Sequence, residues 1–173
     1  MEIKVTVKGT APLLLHKYVE ADASTSKKKK KVYVPEEEAE KVCYRTEDGQ
    51  VYIPATHFKG AMIKSGVDFI YSGRKTYKEY IKSGIFFKEK EIILTPQEYI
   101  VNNTPVVISR ARVMRSRPEF KNWECTFTME VLNEDLDKSI LKEILESAGK
   151  FQGVGDFRPE YGRFEVVSFE KVE

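Results

Sequence analysis

Four arginines lie close together between Ser109 and Pro118. They are Arg110, Arg112, Arg115 and Arg117, and no acidic residue follows them until Glu119. Arginine makes bidentate contacts with phosphate oxygens and stacks on bases. If the segment is a strand, Arg110 and Arg112 project from one side, and Arg115 and Arg117 also share a side. A charged edge arm that prevents sheet aggregation would use lysine equally well, so the predominance of arginine favours nucleic-acid binding.

Side chains that could stack on bases or separate them occur near these arginines. Met114 offers a soft apolar surface, and Tyr99, Phe120 and Trp123 supply aromatic rings. A single strand held through four or five phosphates would lose affinity with salt at a log–log slope of about −3.

A glycine-rich segment runs from Gly153 to Phe164, between a predicted helix and the last predicted strand. Gly153 and Gly155 would let a phosphate chain approach backbone N–H groups, and Arg158 and Arg163 could each fork onto phosphate oxygens. The segment is not a P-loop, because no Gly-Lys-Ser/Thr follows, and it precedes a strand, which excludes the dinucleotide fingerprint. A plain turn-rich connection is the alternative.

His16 and His57 are the only histidines. His16 follows the first predicted strand, where it could act as the general base of an RNA-cleaving enzyme, although a structural or exposed histidine is the alternative. His57 lies at a predicted helix N-terminus, whose dipole disfavours the charged form. The carboxylates are scattered, so we expect neither a metal site nor a cofactor.

The whole chain is nearly neutral. Its 173 residues carry 29 Lys and Arg against 27 Asp and Glu, a formal net charge of +2, which excludes a uniformly basic coat but allows a local cationic groove. Cys43 and Cys125 form no CxxC pair and indicate reduced intracellular thiols. There is no signal-peptide pattern and no long apolar run. We therefore expect a cytoplasmic protein, of a prokaryote or a phage-infected cell, without a membrane span.

Hydrophobic periodicity predicts the elements that must position these residues. Residues 2–9 and 124–131 alternate with period two and predict one-sided strands. One helix is expected after Pro54, capped by Thr56, and a second from about Glu134 to Ala148, stopped by Gly149. The apolar residues of the second helix form one stripe, which predicts a buried face: Leu136, Ile140, Leu141, Ile144, Leu145 and Ala148. Gly60 disfavours the first helix by about 1 kcal/mol relative to Ala, which suggests that something requires the absence of a side chain there.

Two insertions interrupt these elements. Near residues 21–40, the run Lys27 to Lys31 predicts a mobile loop, and the acidic block Glu36 to Glu40 predicts a short helix. A basic arm is expected near residues 97–123, with a hairpin turn at 102–105. A further turn is predicted at 47–50, after a strand at 42–45, and a second basic stretch covers residues 72–82.

Without the insertions, the element order is β-α-β-β-α-β. This order predicts an α+β fold with a ferredoxin-like core, the arrangement that also underlies RNA-recognition domains. At 173 residues the chain fits one domain, with the β-hairpins and loops as insertions.

The motifs at both ends of this core resemble those of the RAMP superfamily of CRISPR-associated proteins. The resemblance is carried by Tyr52-Ile53-Pro54-Ala55, followed by Lys59-Gly60-Ala61, and by the glycine-rich loop with Arg158 and Gly162-Arg163-Phe164. Among RAMP branches, the chain looks more like the backbone-forming Cas7 type, or a stand-alone phage-encoded relative, than like a guide-processing nuclease. The resemblance implies an RNA-binding surface shaped by the glycine-rich loop.

These observations favour a non-catalytic protein that binds single-stranded RNA or DNA and self-associates head to tail along the strand. The expected contacts are Lys59, Arg110, Arg112, Arg115, Arg117, Gly153, Gly155, Arg158 and Arg163. A metal-independent endoribonuclease that uses His16 is one alternative. A protein-interaction module that docks an acidic partner is the other.

Overall fold

Eleven strands and four α-helices make up the part of the chain that the computed structural model describes, residues 1–20 and 32–172. In chain order they are β1 (Glu2–Gly9), β2 (Leu13–Leu14), α1 (Pro35–Lys41), β3 (Tyr52–Pro54), α2 (Ala55–Ser65), β4 (Ile70–Ser72), β5 (Lys75–Thr76), α3 (Tyr77–Gly84), β6 (Ile85–Phe87), β7 (Glu91–Thr95), β8 (Ile100–Ile108), β9 (Ala111–Phe120), β10 (Glu124–Val131), α4 (Lys138–Ser147) and β11 (Phe164–Lys171). The predicted mobile lysine run, Lys27 to Lys31, lies outside the described residues.

The largest sheet is antiparallel and has six strands. Its order is β11-β1-β10-β7-β3, and β6 also pairs with β10. The predicted alternation of β1 and β10 is confirmed, because Ile3, Val5 and Val7 are buried on one strand and Phe127 and Met129 on the other. The fold is therefore α+β, with both central strands contributing one face to the core.

Helices α2 and α4 belong to the same core as this sheet. The Phe58 ring of α2 lies 4.8 Å from the Phe127 ring of β10 and 5.4 Å from the Phe164 ring of β11. On α4, the predicted stripe is confirmed by the burial of Leu141, Ile144 and Leu145. These contacts hold the N-terminus of α2 and the segment after α4 in defined positions.

Two predictions about the helix ends were wrong. The first residue of α2 is Ala55 and its N-cap is Pro54, so Thr56 does not cap the helix. Gly149 does not stop α4, because the chain continues through a π-helical turn, Ala148–Gln152, to Gly153 at φ 69°. A Cβ on Gly60 would meet no atom within 4 Å of it among the described residues, so no internal contact requires that glycine.

The insertions differ in how well their sequences predicted them. The acidic block forms α1, with Pro35 in its first turn as expected. The turn at 47–50 is confirmed by Gly49 at φ 81°. The strand predicted at 42–45 is wrong, because only Arg45 pairs, as a single bridge to Val51.

The basic arm is one long β-hairpin, and its turn lies at a different place from the one that the sequence predicted. Strands β8 and β9 pair continuously from Ile100–Glu119 to Ile108–Ala111, so the predicted turn at 102–105 is part of β8. The turn lies at Ser109 and Arg110, whose φ angles are 48° and 69°. Strand β2 pairs with the base of β9 and completes a three-stranded sheet.

Among the helices formed by residues 1–20 and 32–172, none has the length and apolar character needed to cross a membrane.

Candidate nucleic-acid interface

The four arginines of the arm occupy different environments. Arg110 is exposed in the turn, and Arg112 is exposed on β9. Arg115 is half-buried and shares its side of β9 with Arg117, as predicted, whereas Arg112 belongs to the opposite side because strand side chains alternate. The expected pairing of Arg110 with Arg112 on one strand face is wrong, since Arg110 lies in the turn.

Arg117 anchors the base of the arm. Its side chain is only 7% exposed, and Nη1 donates to Oδ2 of Asp156 at 2.7 Å. Nη2 donates to Oγ1 of Thr104 on β8 at 2.8 Å. Burial alone would raise the pKa of Asp156, but the hydrogen bond and charge of Arg117 hold that pKa below its ordinary value. The fourth arginine therefore joins the glycine-rich loop to the arm.

His16 lies between Asp156 and Arg115. Its Nδ1 is 3.5 Å from Oδ2 of Asp156, and its Nε2 is 3.2 Å from Nη1 of Arg115. Because a guanidinium can only donate, Nε2 accepts from Arg115, and the neutral tautomer that satisfies both contacts carries its proton on Nδ1. His16 thus connects the cation of the arm to the carboxylate of the loop.

The N–H groups of the glycine-rich loop are used to fold it onto the start of the chain. Those of Asp156 and Gly162 donate to the carbonyls of Leu14 and Pro12, both at 2.8 Å, and that of Val154 donates to Gly162 at 2.9 Å. The prediction that Gly153 offers its backbone N–H to phosphate is wrong, because that N–H donates to the Ala148 carbonyl at 2.9 Å. The same prediction for Gly155 stays a prediction, although the residues on either side of it donate to the protein.

The glycines of this loop permit close packing of one chain segment on another. Gly153, Gly155 and Gly162 all have positive φ angles. A Cβ on Gly155 would lie 2.5 Å from the Leu14 carbonyl oxygen, and one on Gly162 would overlap the Val154 carbonyl oxygen. These residues place Asp156 and Phe157 beside Arg117 of the arm.

Arg158 is exposed and acts electrostatically on the N-terminal turn of α2. Burial lowers the pKa of His57 and the positive charge of Arg158 lowers it further, so the neutral form is favoured, as the sequence predicted, although the causes are burial and Arg158 and not the helix dipole. The His57 ring lies edge-on to Tyr44, with ring centroids 5.9 Å apart. Its buried Nδ1 has no hydrogen-bond partner among the described residues.

Among the described residues, no hydrogen bond or ion pair joins the side chain of Lys59 or Arg163 to the arginines of the arm. The Lys59 ammonium lies 4.5 Å from the centre of the exposed Phe86 ring, and burial lowers the pKa of Lys59. Arg163 is exposed in a shallow groove of about 350 Å³ that also contains Glu146, Lys150 and Glu165.

Two of the expected stacking residues are unavailable. Trp123 and Phe120 are fully buried, and Nε1 of Trp123 donates to the Ala11 carbonyl at 2.9 Å. The ring of Tyr99 is half-buried, and its hydroxyl donates to Glu40 at 2.5 Å. Met114 is exposed as expected.

Sequence reasoning missed Asp156 and Phe157. Phe157 is exposed, and its ring centre is 6.0 Å from the guanidinium carbon of Arg117. The only available signal was the presence of both residues in the glycine-rich loop, because their partner Arg117 is 39 residues from Asp156. We name the exposed or half-buried cations of this region the arm–loop surface: Arg110 in the turn, Arg112 and Arg115 on opposite sides of β9, and Arg158 in the loop.

No protein-family model and no curated protein match this chain. Among solved structures, the chain is similar to one in the cryo-electron microscopy structure of the type III-B Cmr-beta bound to cognate target RNA, with a TM-score of 0.60 and 12% identity. The match covers 98% of this chain and 59% of the other. The chain therefore spans less than two thirds of its neighbour's length and shares its fold.

Proposed function

We propose that this chain binds single-stranded RNA through the arm–loop surface and does not cleave it. The observation that carries the proposal is the convergence of the arm and the glycine-rich loop at Arg117 and Asp156, which places Arg115 and Arg158 on adjoining segments. Guanidinium groups on both segments suit a phosphate backbone, and the exposed Phe157 ring offers a stacking surface between them.

The strand order supports a ferredoxin-like core of the RAMP kind over residues 1–173. With β6 and β7 counted as one interrupted strand, the sheet reads fourth, first, third and second, with α2 and α4 as the crossovers. That is the connectivity of a β-α-β-β-α-β unit. The arm and α1 are then insertions into one domain of Cas7-like type.

RNA is the preferred ligand in this proposal because the structural neighbour was determined with target RNA. The four cations of the arm–loop surface would give a log–log salt slope of about −3 on a single strand. Lys59 and Arg163 are peripheral contacts of the same strand. Arg117, Gly153 and Gly155 shape the surface and make no ligand contact.

The contacts of His16 favour binding over catalysis. A general base needs an accepting nitrogen directed at the substrate, and Nε2 of His16 already accepts from Arg115 at 3.2 Å. Incubation with labelled RNA in EDTA should therefore leave the RNA intact. Cleavage that persists in EDTA and disappears in His16→Ala would instead establish the endoribonuclease.

Fluorescence anisotropy with a 30-nucleotide RNA tests the binding proposal. We expect Arg110→Gln/Arg112→Gln to reduce the magnitude of the salt slope by about 1.4 and to weaken binding about tenfold at 50 mM salt. The control Lys138→Gln/Lys142→Gln removes two cations from exposed positions of α4 and should behave as the unmodified protein. Failure of the unmodified protein to bind any single strand at low salt would refute the proposal.

A further inference from the structure

The second basic stretch, residues 72–82, forms a separate structural unit. Strands β4 and β5 make a short antiparallel hairpin that leads directly into α3. The unit is joined to the core by α3, through the buried side chains of Tyr77 and Ile81. The cationic side chains of the unit lie on its solvent-exposed side.

The cations of this unit far outnumber its acids. Arg74, Lys75, Lys78 and Lys82 are all exposed, and Glu79 is the one acidic residue between 72 and 82. The ammonium of Lys78 is 4.0 Å from Glu79, and both side chains are exposed, so this ion pair is loose. Exposed pairs of this kind stabilise a protein by little, so the positive charge of the unit is not neutralised from within it.

A groove of about 520 Å³ opens on this unit, lined by Arg74, Lys75, Thr76, Lys78, Glu79 and Tyr80. Three of the six lining residues are cations. The groove is larger than the 350 Å³ groove near Arg163, which contains two glutamates. Of the two, the groove on α3 is the one suited to a polyanion.

An aromatic platform borders the groove. The rings of Tyr71 and Tyr80 stack with centroids 4.0 Å apart and an interplanar angle of 32°. Tyr77 meets Tyr71 edge-on at 5.4 Å, so Tyr71 is held between two rings. Tyr80 is the member of this cluster that lines the groove. The Tyr71 ring therefore supports the Tyr80 ring, and Tyr80 itself is half-buried.

We propose that the groove formed by Arg74, Lys75, Lys78 and Tyr80 is a second binding site for single-stranded nucleic acid, in which the cations hold phosphates and Tyr80 stacks on a base. A cationic groove beside an aromatic face is the combination that binds single strands with little sequence preference. The inference rests on the proposed function, because it assigns to this groove a further length of the strand that the arm–loop surface binds.

The decisive variant is Arg74→Ala/Lys75→Ala/Lys78→Ala in the full chain, assayed with the 30-nucleotide RNA used above. Three lost phosphate contacts should reduce the magnitude of the salt slope by about 2 and weaken binding by more than tenfold at 50 mM salt. Lys82→Ala, an exposed position of α3 outside the groove lining, is the matched control and should retain the original slope.

Tyr80 supplies an independent measurement. Tyr80→Ala should weaken binding about five- to tenfold, whereas Tyr80→Phe keeps the ring and should bind as the unmodified protein does. RNA that contains 4-thiouridine should photocrosslink to the peptide that carries Tyr80. Thermal unfolding of each variant identifies any loss of binding that is caused by misfolding, and the crosslink needs no variant.

The two possible failures are distinguishable. If the unmodified protein binds RNA and the triple variant keeps its slope and affinity, the groove is not a strand-binding site, while the proposed function stands. If the unmodified protein binds no single strand at 50 mM salt, the proposed function is wrong and the inference falls with it. Loss of slope in Lys82→Ala equal to one third of the triple variant's loss would also overturn the inference, because the effect would then be general charge and not the groove.

Discussion

Arg117 and Asp156 form the central ion pair of the arm–loop junction. The guanidinium side chain is 7% exposed and the carboxylate side chain 36%, so water screens the pair from one side only. Removal of one partner from a buried pair costs more than removal of both, because the remaining charge stays buried without compensation.

We expect Asp156→Asn to destabilise the protein by about 1–3 kcal/mol, since it leaves the Arg117 charge buried. The double variant Arg117→Met/Asp156→Asn should lose less than the sum of the two single variants. Urea unfolding followed through the fluorescence of Trp123, the only tryptophan, measures the free energies. Strict additivity would mean that the two side chains do not stabilise each other.

The same pair predicts a pH dependence. Arg117 holds the pKa of Asp156 below the ordinary value of 3.8 in spite of its burial, so the unfolded chain binds this proton more tightly. The stabilisation is therefore complete above about pH 4 and is lost as the pH falls through the lowered pKa of the folded state. The stability difference between the unmodified protein and Asp156→Asn should shrink below pH 3.8. A difference that stays constant down to pH 2 would exclude this linkage.

At the scale of elements, the glycine-rich loop depends on Gly162 for its close approach to Val154. Gly162 has φ 80° and a Cβ there would overlap the Val154 carbonyl oxygen. Gly49 has nearly the same angle, φ 81°, but a Cβ there would meet no atom of residues 1–20 and 32–172 within 4 Å. An alanine would have the same backbone strain at both positions, but only at Gly162 would its Cβ also overlap other atoms.

Gly49→Ala should therefore cost about 1 kcal/mol of unfolding free energy, the strain of a left-handed alanine. Gly162→Ala should cost more than about 3 kcal/mol, because the loop must move away from Pro12 and Leu14. Chemical unfolding of both variants makes the comparison. Equal costs would show that the loop yields without loss of packing.

At the scale of the whole molecule, the arm leaves apolar side chains uncovered near its tip. Val107 is 71% exposed, and Ile108, Val113 and Met114 are also exposed. Exposed apolar surface of this kind marks interaction sites. A contact between this tip and a different surface of another copy would be heterologous, and such contacts extend into open chains.

We therefore expect several copies to assemble on a 60-nucleotide RNA and one on a 15-nucleotide RNA, as counted by mass photometry. Val107→Ser/Val113→Ser should reduce the number of copies per long RNA while leaving binding of the short RNA unchanged, because it removes apolar surface and no charge. One copy per long RNA at saturation would argue against self-association along the strand.

Local signals in the sequence were sufficient for much of the fold. The alternation of residues 2–9 and 124–131 predicted β1 and β10, and the apolar stripe predicted the buried face of α4. Pro35 and the acids after it predicted α1. Each of these elements is determined by hydrophobic periodicity or by a residue at its end, within about ten residues of sequence. Sequence patterns predict secondary structure over this short range.

The sequence by itself also determined which residue types are available for binding, namely the arginines of residues 110–117, the basic stretch at 72–82 and the two arginines of the glycine-rich loop. Only the tertiary structure decided which of them are exposed. Pairing of β8 with β9 overrode the turn signal at 102–105 and moved the turn to Ser109 and Arg110. Arg117 is buried beside Asp156, which is 39 residues away in the chain. Gly155 packs directly against Leu14, so this part of the loop faces the protein. These outcomes depend on contacts between distant segments, and no local period encodes such contacts.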